Sequence, residues 1–239
     1  MKKQRLDQTL VEQNLAETRS QAENLIRLGE VIVDGRVIKK SGYFVSNSAE
    51  IKITANERYV SRAGLKLASV AQEFELDFAE TTVLDVGSST GGFTDFALQQ
   101  GAEKVIAVDV GTNQLHPSLQ NNIKVELHEQ TDIRDISQLS NEPDIVVIDV
   151  SFISLREILP HIATIAQKAQ IVAMLKPQFE IGADAKHKGV IKNERIRREI
   201  MKDFEIWSKK YFVILNKADS KVAGTKGNQE RFYLLKVVK

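Results

Sequence analysis

Four short, nearly continuous apolar runs, at 83–86, 105–108, 145–148 and 171–175, recur along the chain with helical stretches such as 92–100 and 155–168 between them. No other feature constrains the fold as strongly. Strands apolar on both sides of the pleat must be covered on both faces, and runs this far apart leave room for crossover helices, so the pattern predicts an α/β chain built on a parallel sheet. A long polar helix around 194–209 and two further strands, 211–215 and 231–237, close the sequence.

Composition narrows the class. The 239 residues are 42% hydrophobic and 27% charged, enough to bury a core and not the signature of a disordered chain. There is no cysteine, which removes disulfides, thiolate ligands and a cysteine nucleophile and suits a reducing compartment. No run approaches 18 apolar residues, and Met1-Lys2-Lys3-Gln4-Arg5 leads into no signal-peptide core. The expectation is a soluble cytoplasmic protein. Net charge is +1, divided as +2 over residues 1–59 and −1 over the remainder, so any nucleic-acid binding must come from local patches.

Residues 1–59 read as a small separate α+β module. Leu6, Leu10, Val11 and Leu15 keep a helical spacing. Thr18 is a fitting N-cap for a second helix with Ala22, Leu25, Ile26 and Gly29 inward. The period then changes to two at Val31 and Val33, Asp34-Gly35 marks a tight hairpin before Val37-Ile38, and a polar stretch leads to a last strand near 51–53. This order, with Arg5-Leu6-Asp7, Thr18-Arg19-Ser20, Gly29, Val31 to Gly35 and Lys39-Lys40, resembles the S4 RNA-binding module. The resemblance implies that Arg5, Arg19, Arg27, Lys39 and Lys40 contact RNA phosphates, displacing condensed counterions. The competing reading is that Arg19, Glu23 and Arg27 form a solvated ion-pair ladder. Residues 56–60 are the expected linker, and 60–239 the second domain.

The first strand of that domain runs into Asp85-Val86-Gly87-Ser88-Ser89-Thr90-Gly91-Gly92-Phe93-Thr94. Glycines at a strand-to-helix turn allow close backbone approach to a ligand, and ligands of open α/β sheets lie beyond the carboxyl ends of strands. The spacing is not that of a dinucleotide fingerprint, and no lysine serves a triphosphate. Asp109, closing the second strand, can accept both ribose hydroxyls of a nucleoside, and Asp132 suits the neighbourhood of an adenine. The set Asp85, Gly87, Ser88, Ser89, Thr90, Gly91, Gly92, Phe93, Asp109 and Asp132 therefore favours S-adenosylmethionine. The four histidines have no ligand spacing, and a metal is not expected.

Two charges follow apolar runs toward the same crevice: Asp149 in Ile148-Asp149-Val150-Ser151-Phe152 and Lys176 in Leu175-Lys176-Pro177-Gln178-Phe179-Glu180. Lys66, on the helix entering the domain, and Glu230, at the start of the last strand, complete a constellation. The strings VSRAGLKL, LDVGSSTGGFTD, AVDVG, DVSFIS, LKPQFE and GNQE occur in the order found in the TlyA (haemolysin-A-like) family, and the match covers nearly the entire chain. The resemblance implies an S4 domain joined to an FtsJ-like, Rossmann-like methyltransferase with a seven-stranded, mostly parallel sheet. It implies a catalytic tetrad at Lys66, Asp149, Lys176 and Glu230, with 2′-O-methylation of ribosomal RNA cytidines as the reaction and ribosomal RNA or subunits as partner. One departure is Arg58-Tyr59-Val60 in the linker, where many relatives carry a tryptophan in place of the tyrosine.

The chemistry asks for these residue types. A ribose hydroxyl is a poor nucleophile until it begins to lose its proton, and a lysine near its free pKa of about 10.4 is mostly protonated. Burial and a neighbouring ammonium lower that value, so the reading pairs Lys66 with Lys176, makes Lys176 the base, has Lys66 and Asp149 orient it and the hydroxyl, and leaves Glu230 in support. Phe93 or Phe152 is a candidate stacking ring, and Arg134, Arg195, Arg197 and Arg198 are candidates to widen an RNA track. The alternatives are a catalytically inactive S4-containing ribosome-binding or assembly factor and a membrane-active haemolysin.

Overall fold

In the computed structural model, which describes residues 3–16, 19–46, 48–53, 59–181, 191, 193–222 and 228–238, the four apolar runs become adjacent parallel strands. Contacts divide the chain into two units, Met1–Arg62 and Ala63–Lys239.

The first unit holds β1 (Lys3–Arg5), α1 (Leu6–Glu12), α2 (Arg19–Leu28), β2 (Val31–Val33), β3 (Arg36–Ile38), β4 (Phe44–Ser46) and β5 (Ile51–Ile53). Leu6, Leu10, Ala22, Ile26, Val31, Val33 and Val45 form its core. Asp34 and Gly35 both take positive φ, +48° and +78°, the left-handed pair that closes a two-residue hairpin between β2 and β3. The antiparallel pair β1–β4 escaped the sequence pattern, because three residues within a polar stretch are too few to display a period. Thr18 and residues 54–58, where the N-cap and most of the linker were expected, lie outside the described residues.

The second unit comprises α3 (Arg62–Ala71), β6 (Thr82–Val86), α4 (Gly92–Gln99), β7 (Lys104–Val108), α5 (Pro117–Gln120), β8 (Val125–His128), β9 (Ile145–Ile148), α6 (Leu155–Ile165), β10 (Gln170–Leu175), α7 (Pro177–Glu180), α8 (Glu194–Ser208), β11 (Phe212–Asp219) and β12 (Arg231–Val237). Its seven strands run in the order β11-β12-β10-β9-β6-β7-β8, with β12 alone antiparallel to its neighbours. The strand β8 sits at an edge, where none of its four residues is fully buried, and so carries no apolar run to announce it. The other edge strand, β11, extends to Asp219 by alternating inward and outward residues, with a register shift between Ile214 and Asn216. Central strands β9 and β10 are buried almost throughout, as their apolar runs require.

Topology places the crevice. From β6 the chain moves outward through β7 to β8, then returns to β9 on the other side of β6. The loops leaving β6 and β9 therefore part at a switch point, and the space beyond their carboxyl ends is where open α/β sheets bind ligands. No described helix is long and apolar enough to cross a membrane.

Candidate active site

The loop after β6 turns on Gly87 and Gly91, with φ of +84° and +88°. A Cβ on Gly87 would lie 2.7 Å from the Asp149 carbonyl oxygen, so this position needs glycine for conformation and for space; at Gly91 the left-handed φ asks for glycine, and a Cβ would meet only the Leu119 and Leu115 side-chain ends. Asp85 is fully buried beneath this loop, where one carboxylate oxygen accepts the Thr94 hydroxyl at 2.7 Å. Burial, reinforced by the Asp149 and Asp109 charges, pushes its carboxyl up to about 7.

Two polar atoms here lack a protein partner among the described residues: Oδ1 of Asp85 and the Ser88 hydroxyl, both buried. Buried polar atoms are nearly always paired, and orphans around a glycine turn mark where a polar ligand completes the site. The first N–H groups of α4 add to this, since Gly91 supplies no side-chain cap. Asp109 accepts from the Ser89 and Gly111 N–H groups at 2.8 and 2.7 Å, one per oxygen, which ties the loops after β6 and β7 together and leaves each oxygen one lone-pair site. Asp132 caps the 3-10 turn at Ile133–Asp135 and pairs with Arg134 at 2.6 Å. Three carboxylates, Asp85, Asp109 and Asp149, thus follow or end neighbouring strands, and residues so disposed fit a cationic nucleoside such as S-adenosylmethionine. Phe93 does not offer its ring: at 2% exposure it packs 6.2 Å from Phe232, because the first turn of α4 directs it into the core. Phe152, 91% exposed at φ +66°, is the open aromatic.

Beyond β9 and β10 the charges assemble into two ion pairs. Lys176 Nζ lies 2.5 Å from Asp149 and donates to the Ser151 hydroxyl at 2.8 Å. Lys66, on α3, lies 2.6 Å from Glu230, with both side chains mostly buried. Register explains the proximity: β10 and β12 pair Leu175 with Arg231, so the next residues outward, Lys176 and Glu230, leave the same end of one strand pair. The sequence reading had Lys66 and Asp149 orient the base and the hydroxyl and left Glu230 in support; the structure adds which acid each lysine pairs with. Each lysine has its own carboxylate.

Ser151 and Glu180 were passed over as single residues, although both stand inside motif strings read for their neighbours. Arg197, counted among candidates for an RNA track, is 7% exposed and paired with Asp219 at 2.7 Å, so it belongs to the interior. Arg134 and Arg195 are paired with Asp132 and Glu199. No cluster of three or more potential metal ligands occurs among the described residues.

In the first unit, the fully buried Asp7 accepts from Arg5 at 2.7 and 3.0 Å and from Arg19 at 2.9 Å. These bonds hold its carboxyl well below the usual carboxylate range. One buried anion therefore sets two partly exposed guanidinium groups side by side, and Arg19 also reaches Glu23 at 3.5 Å, the first rung of the ladder that the spacing allowed. Lys39 and Lys40 are exposed, and the Arg27 side chain lies outside the described residues.

Comparison with known proteins agrees with this architecture. Residues 59–237 match the FtsJ-like methyltransferase family and residues 4–51 the S4 domain. The chain is 37% identical over 245 residues to the 23S rRNA (cytidine-2′-O)-methyltransferase TlyA of Campylobacter jejuni, covering 93% of this chain and 96% of that protein. It is 36% identical to Hemolysin A of Brachyspira hyodysenteriae, covering 95% and 97%. A solved structure named as a candidate hemolysin from Streptococcus thermophilus superposes with a TM-score of 0.76 at 36% identity, over 100% of this chain and 90% of that one. The fold is also that of an S-adenosylmethionine-dependent methyltransferase from Mesorhizobium loti, with a TM-score of 0.51 at 10% identity over 72% of this chain and 98% of that one.

Proposed function

The chain belongs to the FtsJ-like methyltransferase family and carries an S4 domain ahead of it, and from that premise we propose that it transfers a methyl group from S-adenosylmethionine to a ribose 2′-hydroxyl of ribosomal RNA, at cytidine. The observation that carries the reading is the setting of Lys176, whose Nζ is held between a carboxylate, Asp149, and an alcohol oxygen, Ser151 Oγ, beyond the switch point of the sheet. The Ser151 hydroxyl occupies the kind of position a ribose hydroxyl would need.

Asp85, Ser88, the N–H groups entering α4, Asp109 and Asp132 would hold the methyl donor; the backbone of Gly87, Ser89, Thr90, Gly91, Gly92 and Phe93 would shape its cradle. When bound, that donor supplies an electrophilic methyl on a sulfonium leaving group, so the protein has a nucleophile to align and one proton to move. Lys176, having released a proton to solvent, takes the one that leaves the 2′-oxygen, and Asp149 keeps its Nζ aimed at that atom. Lys66, anchored by Glu230, orients the ribose. Exposed Phe152, beside this cluster in sequence, offers a face on which the target base stacks. In the S4 unit Arg5 and Arg19, set by Asp7, join Arg27, Lys39 and Lys40 as the phosphate-facing charges. The name of the Campylobacter relative supports cytidine in ribosomal RNA as the target.

The test is methyl transfer from tritiated S-adenosylmethionine to unmodified ribosomal subunits, with the product nucleoside identified by mass spectrometry. Lys176→Ala should lose activity by about 100-fold or more, in the range of general-base losses, while binding the methyl donor as the wild type does. Wild-type turnover by that variant, or label found on a base instead of a ribose, would overturn the reading.

A further inference from the structure

Asp149 and Lys176 sit in loops that leave neighbouring strands, and their meeting depends on how those loops are held. The ladder from β9 to β10 ends at Ile148 and Ala173. Beyond it the Asp149 N–H still bonds the Val86 carbonyl of β6 at 3.0 Å, but the segment from Val150 to Ser154 lies outside the strands, and Phe152 is kept at φ +66°, a conformation bulky side chains avoid.

The group facing this segment is Glu180, whose side chain is 1% exposed. One carboxylate oxygen accepts the Ser154 hydroxyl at 2.6 Å and the other accepts the Leu155 N–H at 2.8 Å; Arg156 Nε stands 3.7 Å away. On its own side, Glu180 ends the turn α7 that Lys176 begins, and the Phe179 N–H closes that turn on the Lys176 carbonyl at 2.9 Å. Between them the rings of Phe152 and Phe179 lie 5.1 Å apart. Three contacts thus run in register between the loops: Asp149 and Ser151 with Lys176, Phe152 with Phe179, Ser154 and Leu155 with Glu180. A buried carboxylate is a costly tie where an apolar contact would serve a core, and both its oxygens are spent on the same short segment.

We infer that Glu180 is a positioning residue for methyl transfer, clamping the loop after β9 to the loop after β10 and so setting the Lys176–Asp149–Ser151 geometry; the inference rests on the function proposed above. Glu180 touches no reacting atom. It acts through the two loops.

The test compares Glu180→Ala, Glu180→Gln, Ser154→Ala and Lys176→Ala in the full chain, measuring kcat and KM for ribosomal substrate, the pH–rate profile, methyl-donor affinity and melting temperature. Glu180→Ala should lower kcat by about 100-fold, the scale of a misplacement near 1 Å, with unchanged methyl-donor affinity and a shifted pH–rate profile. Glu180→Gln keeps an acceptor for the Leu155 N–H and gains a donor for the Ser154 oxygen, and should recover most of kcat. Ser154→Ala, which removes one of the two bonds, should fall between them. If Glu180→Ala only melts earlier, while kcat and the pH profile below its melting temperature match the wild type, the clamp is structural and the inference fails. Should Glu180→Ala not fold, wild-type kcat and pH profile in Ser154→Ala overturn it equally. An inactive Lys176→Ala beside an unaffected Glu180→Ala defeats this inference alone, whereas absence of ribose methylation by the wild type defeats the function reading and the inference with it.

Discussion

Replacing Asp85 by asparagine should stabilise the second unit at pH 8. Asp85 is fully buried with its carboxyl raised to about 7, against about 3.9 in an unfolded chain. A carboxyl raised in the folded state binds an extra proton between those values, so stability declines as pH climbs through the window and is flat above it. At about 1.4 kcal/mol per unit, the raised carboxyl costs roughly 1–2 kcal/mol of stability at pH 5 and roughly 4 kcal/mol at pH 8, relative to acid. Asparagine keeps an acceptor for the Thr94 hydroxyl but places an amide where the orphaned Oδ1 stood, at a cost of about 1–2 kcal/mol. The variant should thus equal the wild type at pH 5 and exceed it by about 2–3 kcal/mol at pH 8. The single tryptophan, Trp207, lies in α8, so its fluorescence during urea unfolding reports on this unit. The gain should be accompanied by weaker binding of the cationic methyl donor, measured by calorimetry. A stability difference that is the same at pH 5 and pH 8, or a net loss at pH 8, would refute the reasoning.

Gly87→Ala should fail for two reasons, a φ of +84° and a methyl 2.7 Å from the Asp149 carbonyl; the expected cost is about 2–3 kcal/mol by urea unfolding, with methyl transfer lost as the Asp149 loop moves. Asp7→Ala should release both Arg5 and Arg19, costing about 1–3 kcal/mol and weakening RNA affinity in filter binding. In the wild type the Asp7 contribution should persist at neutral pH and disappear as acid takes the solution below about pH 4, because its folded value is depressed; a stability of the first unit that is flat through that acid range would contradict the assignment.

The sequence by itself determined the parallel sheet, the place of the crevice and the loops around it. Those follow from local physics: apolar runs set strands, a charge just past a run marks a strand end, and the glycines of Asp85 to Thr94 mark a turn that only glycine can make. It also held the edge strand β8 and the pair β1–β4, but too faintly to be read, since edge position and three-residue length erase the periodic signal. Tertiary structure alone decided the partners. Lys66 and Glu230 are 164 residues apart and pair only in the packed chain, while Glu230 reaches the Lys176 end because β12 is antiparallel to β10, a pairing that no local pattern specifies. The same holds for Phe93, which α4 turns into the core; for Arg197, charged yet interior; and for Glu180, whose role depends on a loop 25 residues upstream. Residue type announces what chemistry a side chain can perform, whereas its partner, burial and direction are properties of the packed chain.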